Sequence, residues 1–134
     1  MDESEKIHII NCLAKSKEAF EDAEFNFQHG RFSVTLNRIY YSMFYSVLAL
    51  AYKDGFVTSK HLQLKGWFNR KYIFEEKVFD EKMLKIYQKA YNDRQESDYE
   101  IIMSNEVEKE DLEKSLQHAK YFNEAIYSYI NRLS

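Results

Sequence analysis

Arg94 and Asp98 stand four residues apart in a stretch whose apolar positions, Met83, Tyr87, Ala90, Tyr91 and then Ile101 and Ile102, recur at helical spacing. That spacing puts the guanidinium and the carboxylate on or beside one helix face, within reach of each other. Charged side chains are seldom buried unless paired, so two chemistries fit. One is a structural ion pair that tethers this helix to a neighbour. The other is an arginine held at a cleft or dimer seam, where its planar fork can take a phosphate. Asn37 and Arg38 open an otherwise apolar run and are followed by Tyr40 and Tyr41. Arg38 either snorkels to water from the helix end or, with Asn37, lines the same cleft as Arg94. From Ser59 to Phe74 come Lys60, His61, Lys65, Arg70 and Lys71 with no acid among them, interleaved with Trp67, Phe68 and Tyr72. Cations mixed with rings can follow a nucleic-acid backbone and stack its bases. The same residues also suit a solvated lysine face over a core made by Trp67 and Phe68.

Other chemistries find little support. A carboxylate-bridged metal bundle needs two Glu-x-x-His pairs and two further glutamates, and the sequence offers one such pair, Glu5 with His8, close to the N-terminus. No Cys/His cluster has zinc spacing, and no glycine-rich loop could cradle a phosphate. Cys12 sits beside Leu13 on a helical stretch and reads as a small core residue. The acidic run from Glu106 to Glu113 reads as a solvated helix face. No metal and no cofactor is expected.

The elements that must position these groups are helical. The chain has no proline and three glycines in 134 residues, so little interrupts a helix. The first helix is predicted over Ser4 to Gln28, with Ile9, Leu13, Phe20, Ala23 and Phe27 as its stripe and Gly30 as its stop. The second spans Ser33 to Lys53 and is apolar nearly all round (Val34, Leu36, Ile39, Tyr40, Met43, Phe44, Val47, Leu48, Leu50), which suits the centre of a bundle. Asp54-Gly55 ends it. Ser59 is read as the cap of a short third helix reaching about Arg70, with Leu64, Trp67 and Phe68 inward. Asp80 caps a fourth to about Met103. Ser104 caps a fifth to about Leu133, with Leu112, Leu116, Ala119, Phe122, Ile126, Ile130 and Leu133 as its stripe. Sustained alternation of strand type is missing, so no sheet is predicted. The expected architecture is an all-α antiparallel bundle of four long helices and one short one, forming a single domain over residues 1–134.

The bulk numbers agree with that picture. Hydrophobic residues make up 45% and charged residues 31%, the balance of a globular domain. Eleven tyrosines and ten phenylalanines imply a ring-rich core whose hydroxyls need partners. The net charge of −3 excludes a chain built as a whole to coat nucleic acid, although a local basic patch could still bind it. One cysteine cannot form an internal disulfide, which suits a reducing cytoplasm. The polar stretch Met1 to Lys6 does not read as a signal peptide, and the longest apolar-aromatic run, Ile39 to Tyr52, is too short to span a membrane.

Three segments carry a resemblance. Asn37-Arg38-Ile39-Tyr40-Tyr41-Ser42-Met43-Phe44 resembles the N-R-x-Y-Y-x-M-F segment of HEPN-domain proteins. Ser59-Lys60-His61 resembles the S-K-H that follows the family's second helix. Leu84 to Tyr99, ending Arg94-Gln95-Glu96-Ser97-Asp98-Tyr99, resembles its R-x-x-x-D-Y ending. Order and spacing match, and the three together cover most of the chain from Gly30 to Glu100. The resemblance implies a helical bundle that pairs into a homodimer. It also implies a genomic neighbour encoding a minimal nucleotidyltransferase, as in toxin–antitoxin modules. Active members are metal-independent ribonucleases with an arginine and, after four to six intervening residues, a histidine on the fourth helix, two copies meeting across the dimer.

This sequence departs from that motif. Arg94 matches the arginine, but the candidate histidine positions hold Tyr99, Glu100 and Ile101. Tyrosine, with an ordinary pKa of about 10, is a poor acid–base group near neutral pH. Three functions are therefore set side by side. The first is a module that binds a nucleotide or RNA, and a nucleotidyltransferase partner, through Arg94, Asp98, Tyr99, Asn37, Arg38, Tyr41, Lys60 and His61. The second is a ribonuclease toxin with Tyr99 or His61 in place of the missing base. The third is a structural helical domain in which Arg94 and Asp98 form only a tether.

Overall fold

The computed structural model describes residues 2–97 and 105–133. Among them are α1 (Glu3–Gln28), α2 (Phe32–Asp54), α3 (His61–Phe68), α4 (Glu81–Ser97) and α5 (Asn105–Arg132), with a π-helical segment, Asn69–Glu75, continuing α3. The chain is an all-α antiparallel bundle of four long helices and one short one, and the described residues include no strand.

Capping sets the helix ends. The Asp2 carboxylate accepts the Glu5 N–H at 2.8 Å and closes the start of α1, where Glu3 and Glu5 also favour the helix dipole. Gly30 (φ 70°) turns the chain within three residues into α2. At the far end of α2, Gly55 (φ 73°) donates to the Tyr52 carbonyl and Phe56 to the Ala51 carbonyl, a Schellman closure that a side chain at Gly55 would strain. The start of α3 differs from the sequence reading. Lys60, not Ser59, precedes the first turn, and the Lys60 N–H donates to the Thr58 hydroxyl at 3.1 Å, so Thr58 makes the local turn. Asp80 does serve α4, accepting the Lys82 N–H at 3.1 Å. Ser104, Asp98, Tyr99, Ile101 and Ile102, and the predicted end of the fourth helix at Met103, lie outside the described residues.

Ring contacts fix the pairing of the first two helices. His8 stacks on Tyr52, Lys15 lies over Tyr45, and Phe27 meets Phe32, so the helices run antiparallel along their whole length. Burial on α2 begins at Thr35 and continues nearly all round to Ala51. Val34 is the exception to the expected central helix: it lies in the first turn, before α2 enters the bundle, and is 45% exposed. Phe68, Tyr87 and Phe122 pack ring against ring where α3, α4 and α5 meet.

The third helix does not stop near Arg70 as its sequence suggested. Trp67 and Phe68 are buried, and so are Tyr72 and Ile73, five positions on. An α-helix would turn the second pair well away from the first, whereas a π-helix, with its i to i+5 bonding, keeps both inward. Asp54, its side chain 10% exposed, anchors this segment to the end of α2. Its carboxylate accepts from Lys53 at 2.7 Å and from the Tyr72 hydroxyl, and pairs with Lys71 at 3.3 Å.

A second buried network joins α1, α2 and α5. The Ser16 hydroxyl donates to the Ser42 carbonyl at 2.6 Å. The Ser46 hydroxyl donates to Asn123 Oδ1 and Asn123 Nδ2 to the Ser42 hydroxyl, each at 3.0 Å. Each group is satisfied, so the network fixes register without leaving an orphan in the core. Cys12 is a core residue as expected, and burial pushes its thiol up to about 11.

Candidate cation and ring cleft

The first half of α2, the start of α3 and the last turns of α4 converge on one cluster of rings and cations. On α2, Asn37, Tyr40, Tyr41 and Phe44 share a face because they are spaced three and four apart. Opposite, α4 brings Tyr87, Tyr91 and Arg94, again at spacings of four and three. His61 enters as the first residue of α3. Its position is set by the short link from Gly55 to Lys60.

Arg94 lies across the tyrosine pair, its guanidinium carbon 5.0 Å from the Tyr41 ring centre and 5.3 Å from that of Tyr40. Arg38 lies against the same Tyr41 ring at 5.2 Å and donates to the Asn37 side-chain carbonyl at 3.2 Å. Two guanidinium groups thus share one aromatic ring, which attracts each through its negative face and holds both at the site. His61 stacks on Phe44 with 4.3 Å between centroids, presents an edge to Tyr41, and shares a 2.8 Å hydrogen bond between its Nδ1 and the Tyr40 hydroxyl. Lys65, one turn further along α3, lies over Tyr91 at 5.4 Å.

Burial and the Arg94 charge together set the protonation of the groups gathered here. Burial, and then the Arg94 charge, hold the His61 imidazole below its ordinary value, so it is neutral near pH 7. Burial lowers Lys65 as well. Burial is also the main reason that the Tyr40 hydroxyl sits far above the ordinary phenol range and stays protonated, although the Arg94 charge opposes it.

Of the residues singled out by sequence, Arg94, Arg38, Asn37, Tyr41 and His61 come together here. Lys60 is exposed and adjoins His61 in the chain, before the first turn of α3. Asp98 and Tyr99 lie outside the described residues. The sequence reading placed Tyr40 and Phe44 on the central helix, where both are buried, and set Tyr87 and Tyr91 with Arg94 on a face suited to a dimer seam, but Tyr87 is buried within the chain itself. What it missed is that Tyr40 also reaches His61 with its hydroxyl and that Phe44 forms the floor under the imidazole. The available signal was the four-residue step from Tyr40 to Phe44, next to the charged pair at 37 and 38. A surface hollow of about 850 Å³ lies elsewhere, between the π-helical segment and Tyr121, lined by Phe74, Val78 and Phe79. It has no comparable set of phosphate donors. No helix among the described residues is long and apolar enough to cross a membrane.

Comparison with known proteins agrees with the motif segments. A UPF0332 protein of Thermotoga maritima is 32% identical over 133 residues, covering 99% of this chain and 98% of that one. A protein of Methanocaldococcus jannaschii named as a candidate toxin is 27% identical over 125 residues, covering 93% of this chain and 83% of its own length. The HEPN domain model matches residues 11–129, which takes in both arginines, the tyrosine pair and His61. The chain belongs to the HEPN-domain family.

Proposed function

We propose that this protein is a binding module of a toxin–antitoxin-like system, in which the cleft takes a phosphate of a nucleotide or of RNA and the domain works as a homodimer with a minimal nucleotidyltransferase partner. The observation that carries this reading is the pair of guanidinium groups, Arg94 and Arg38, held against one tyrosine ring with a neutral histidine beside them. Arginine forks suit phosphate oxygens, and the rings give a base a surface to stack on. The candidate toxin among the relatives supports the system class. Tyr99 in place of the motif histidine supports binding without efficient cleavage.

The test is incubation of the purified protein and its Arg94→Ala variant with total cellular RNA, read on a gel, beside a titration with AMP. Binding lost in the variant, with no cleavage by either form, is the expected result. RNA cleavage that depends on Arg94 would instead favour the ribonuclease reading. One observation speaks for that second reading: the fold brings His61 from α3 to the ring cluster that also holds Arg94. Co-purification tests the remaining claim, and consistent failure to recover a nucleotidyltransferase would remove the partner.

A further inference from the structure

Which proton His61 carries decides what it can do in this cleft. Its Nδ1 faces the Tyr40 hydroxyl, so Nε2 is the nitrogen left for a ligand. A base must accept a proton at Nε2, whereas a donor must already hold one there.

Three features of the surroundings point the same way. Tyr40 is fully buried and its hydroxyl remains protonated, so that proton needs an acceptor. Nδ1 of His61 is the acceptor the structure provides at hydrogen-bond distance. If Nδ1 carried a hydrogen instead, one phenol proton, that of Tyr40 or of the adjoining Tyr87, would be stranded in the core, and orphaned buried donors are rarer than under-used acceptors. Behind Tyr40 lies the Tyr87 hydroxyl, also fully buried and without a hydrogen bond of ordinary geometry. The Tyr87 ring stacks on Tyr40 at 6.2 Å and the Tyr40 hydroxyl is the polar group that acts on it, so the Tyr87 hydroxyl too is placed to direct its proton toward the Tyr40 oxygen. Finally, among the described residues the charge that acts on the imidazole is that of Arg94, and together with burial it opposes the imidazolium. Arg94 approaches from α4, and His61 itself begins α3, where the helix dipole is positive. Around it, α2 contributes Tyr40, Tyr41 and Phe44 with Arg38 against Tyr41, Lys60 precedes it in the chain, and Lys65 lies one turn on along α3.

We propose that Tyr40, backed by Tyr87, is a positioning residue that fixes His61 as the neutral Nε2–H tautomer, so that His61 offers an anion oxygen a hydrogen-bond donor beside the Arg94 guanidinium. This rests on the reading of the cleft as a phosphate site and deepens it. An oxygen there meets one charged and one neutral donor. The histidine that adjoins the cleft is thereby kept from replacing the one missing after Arg94.

The test needs no ligand for its first arm. Proton–nitrogen correlation spectra of the ¹⁵N-labelled full-length protein at neutral pH distinguish protonated from bare ring nitrogens, and His61→Gln identifies the His61 signals. The expected pattern is a protonated Nε2 and a bare Nδ1, shifting to a tautomer mixture in Tyr40→Phe and shifting less in Tyr87→Phe. The second variant removes a hydroxyl that does not touch His61, which keeps the test usable if Tyr40→Phe fails to fold. A protonated Nδ1 in the natural protein, or a Tyr40→Phe protein that is folded and keeps the natural pattern, overturns the proposal. The second arm titrates sulfate, whose charge is constant over the pH range used. His61→Ala should weaken sulfate binding roughly tenfold, as loss of one neutral donor does, while His61→Gln, which keeps an N–H, should retain most of it. The expected tautomer with no sulfate binding by the natural protein would overturn the phosphate reading and the donor role with it, leaving only the positioning by Tyr40.

Discussion

Replacing Arg94 by alanine separates the readings of this domain, because each assigns the side chain a different energy. If the cleft holds phosphate, the guanidinium makes charge-assisted hydrogen bonds to it, worth about 1.5–3 kcal/mol. AMP affinity should then fall by roughly 10–150-fold. The folded protein loses two ring contacts, those to Tyr40 and Tyr41 at 5.3 and 5.0 Å. Contacts of that kind are worth about 0.5–1 kcal/mol each at a partly exposed position, so these two contribute about 1–2 kcal/mol of the stability lost. A purely structural ion-pair tether predicts the opposite balance: about 3–5 kcal/mol of stability and no effect on any ligand. His61 supplies a third readout. Its folded-state value is depressed, first by burial and then by Arg94. Below the unfolded value of about 6.5, the unfolded chain takes up a proton that the folded protein resists. Stability contributed by the neutral imidazole is therefore full above that pH and lost as pH falls below it. Arg94→Ala should raise the His61 value and flatten this loss. Urea melts at pH 7.5 and 5.5, with calorimetric titration of AMP, measure all three. Unchanged AMP affinity with a stability loss above about 3 kcal/mol would refute the binding role of Arg94.

Other parts of the fold make independent predictions. Asp54→Ala removes a nearly buried carboxylate and leaves Lys53, Lys71 and the Tyr72 hydroxyl without it, and because Lys71 is one-third exposed the loss should be about 2–3 kcal/mol rather than the full cost of breaking a buried pair, measured by urea unfolding at pH 7. Burial alone would raise Asp54, but hydrogen bonds from Lys53 and Tyr72 and the charges of Lys53 and Lys71 hold it below the ordinary value. Its contribution is therefore present above about pH 4 and lost as acid titrates it, and the acid limb should be shallower in the variant. Asn123→Ala breaks the bonds to Ser42 and Ser46 and should cost about 2 kcal/mol in the same assay, whereas an unchanged midpoint would show the network to be dispensable. Cys12, with its thiol near 11 and its side chain buried, should resist aromatic disulfide reagents at pH 8 until urea unfolds the chain.

The sequence by itself determined the helices. With no proline, three glycines and long stripes at helical spacing, the chain had few alternatives to a bundle, and Gly30 and Gly55 marked two of its ends because those positions need positive φ. The motif segments placed the family and drew attention to Arg94, Arg38 and His61. Tertiary structure decided what these residues share. That Arg38 and Arg94 lie against one ring depends on how α4 crosses α2, which local spacing does not encode. Equally, the inward placement of both Trp67-Phe68 and Tyr72-Ile73 is incompatible with an α-helix, so the switch to π bonding follows from packing rather than propensity. Tyr40 shows the division most clearly. Its hydrophobic position marked it as core, and it is core. Only the fold, by carrying the start of α3 over the ring cluster on α2, sets His61 at its hydroxyl and gives a buried tyrosine a say in the chemistry of the cleft.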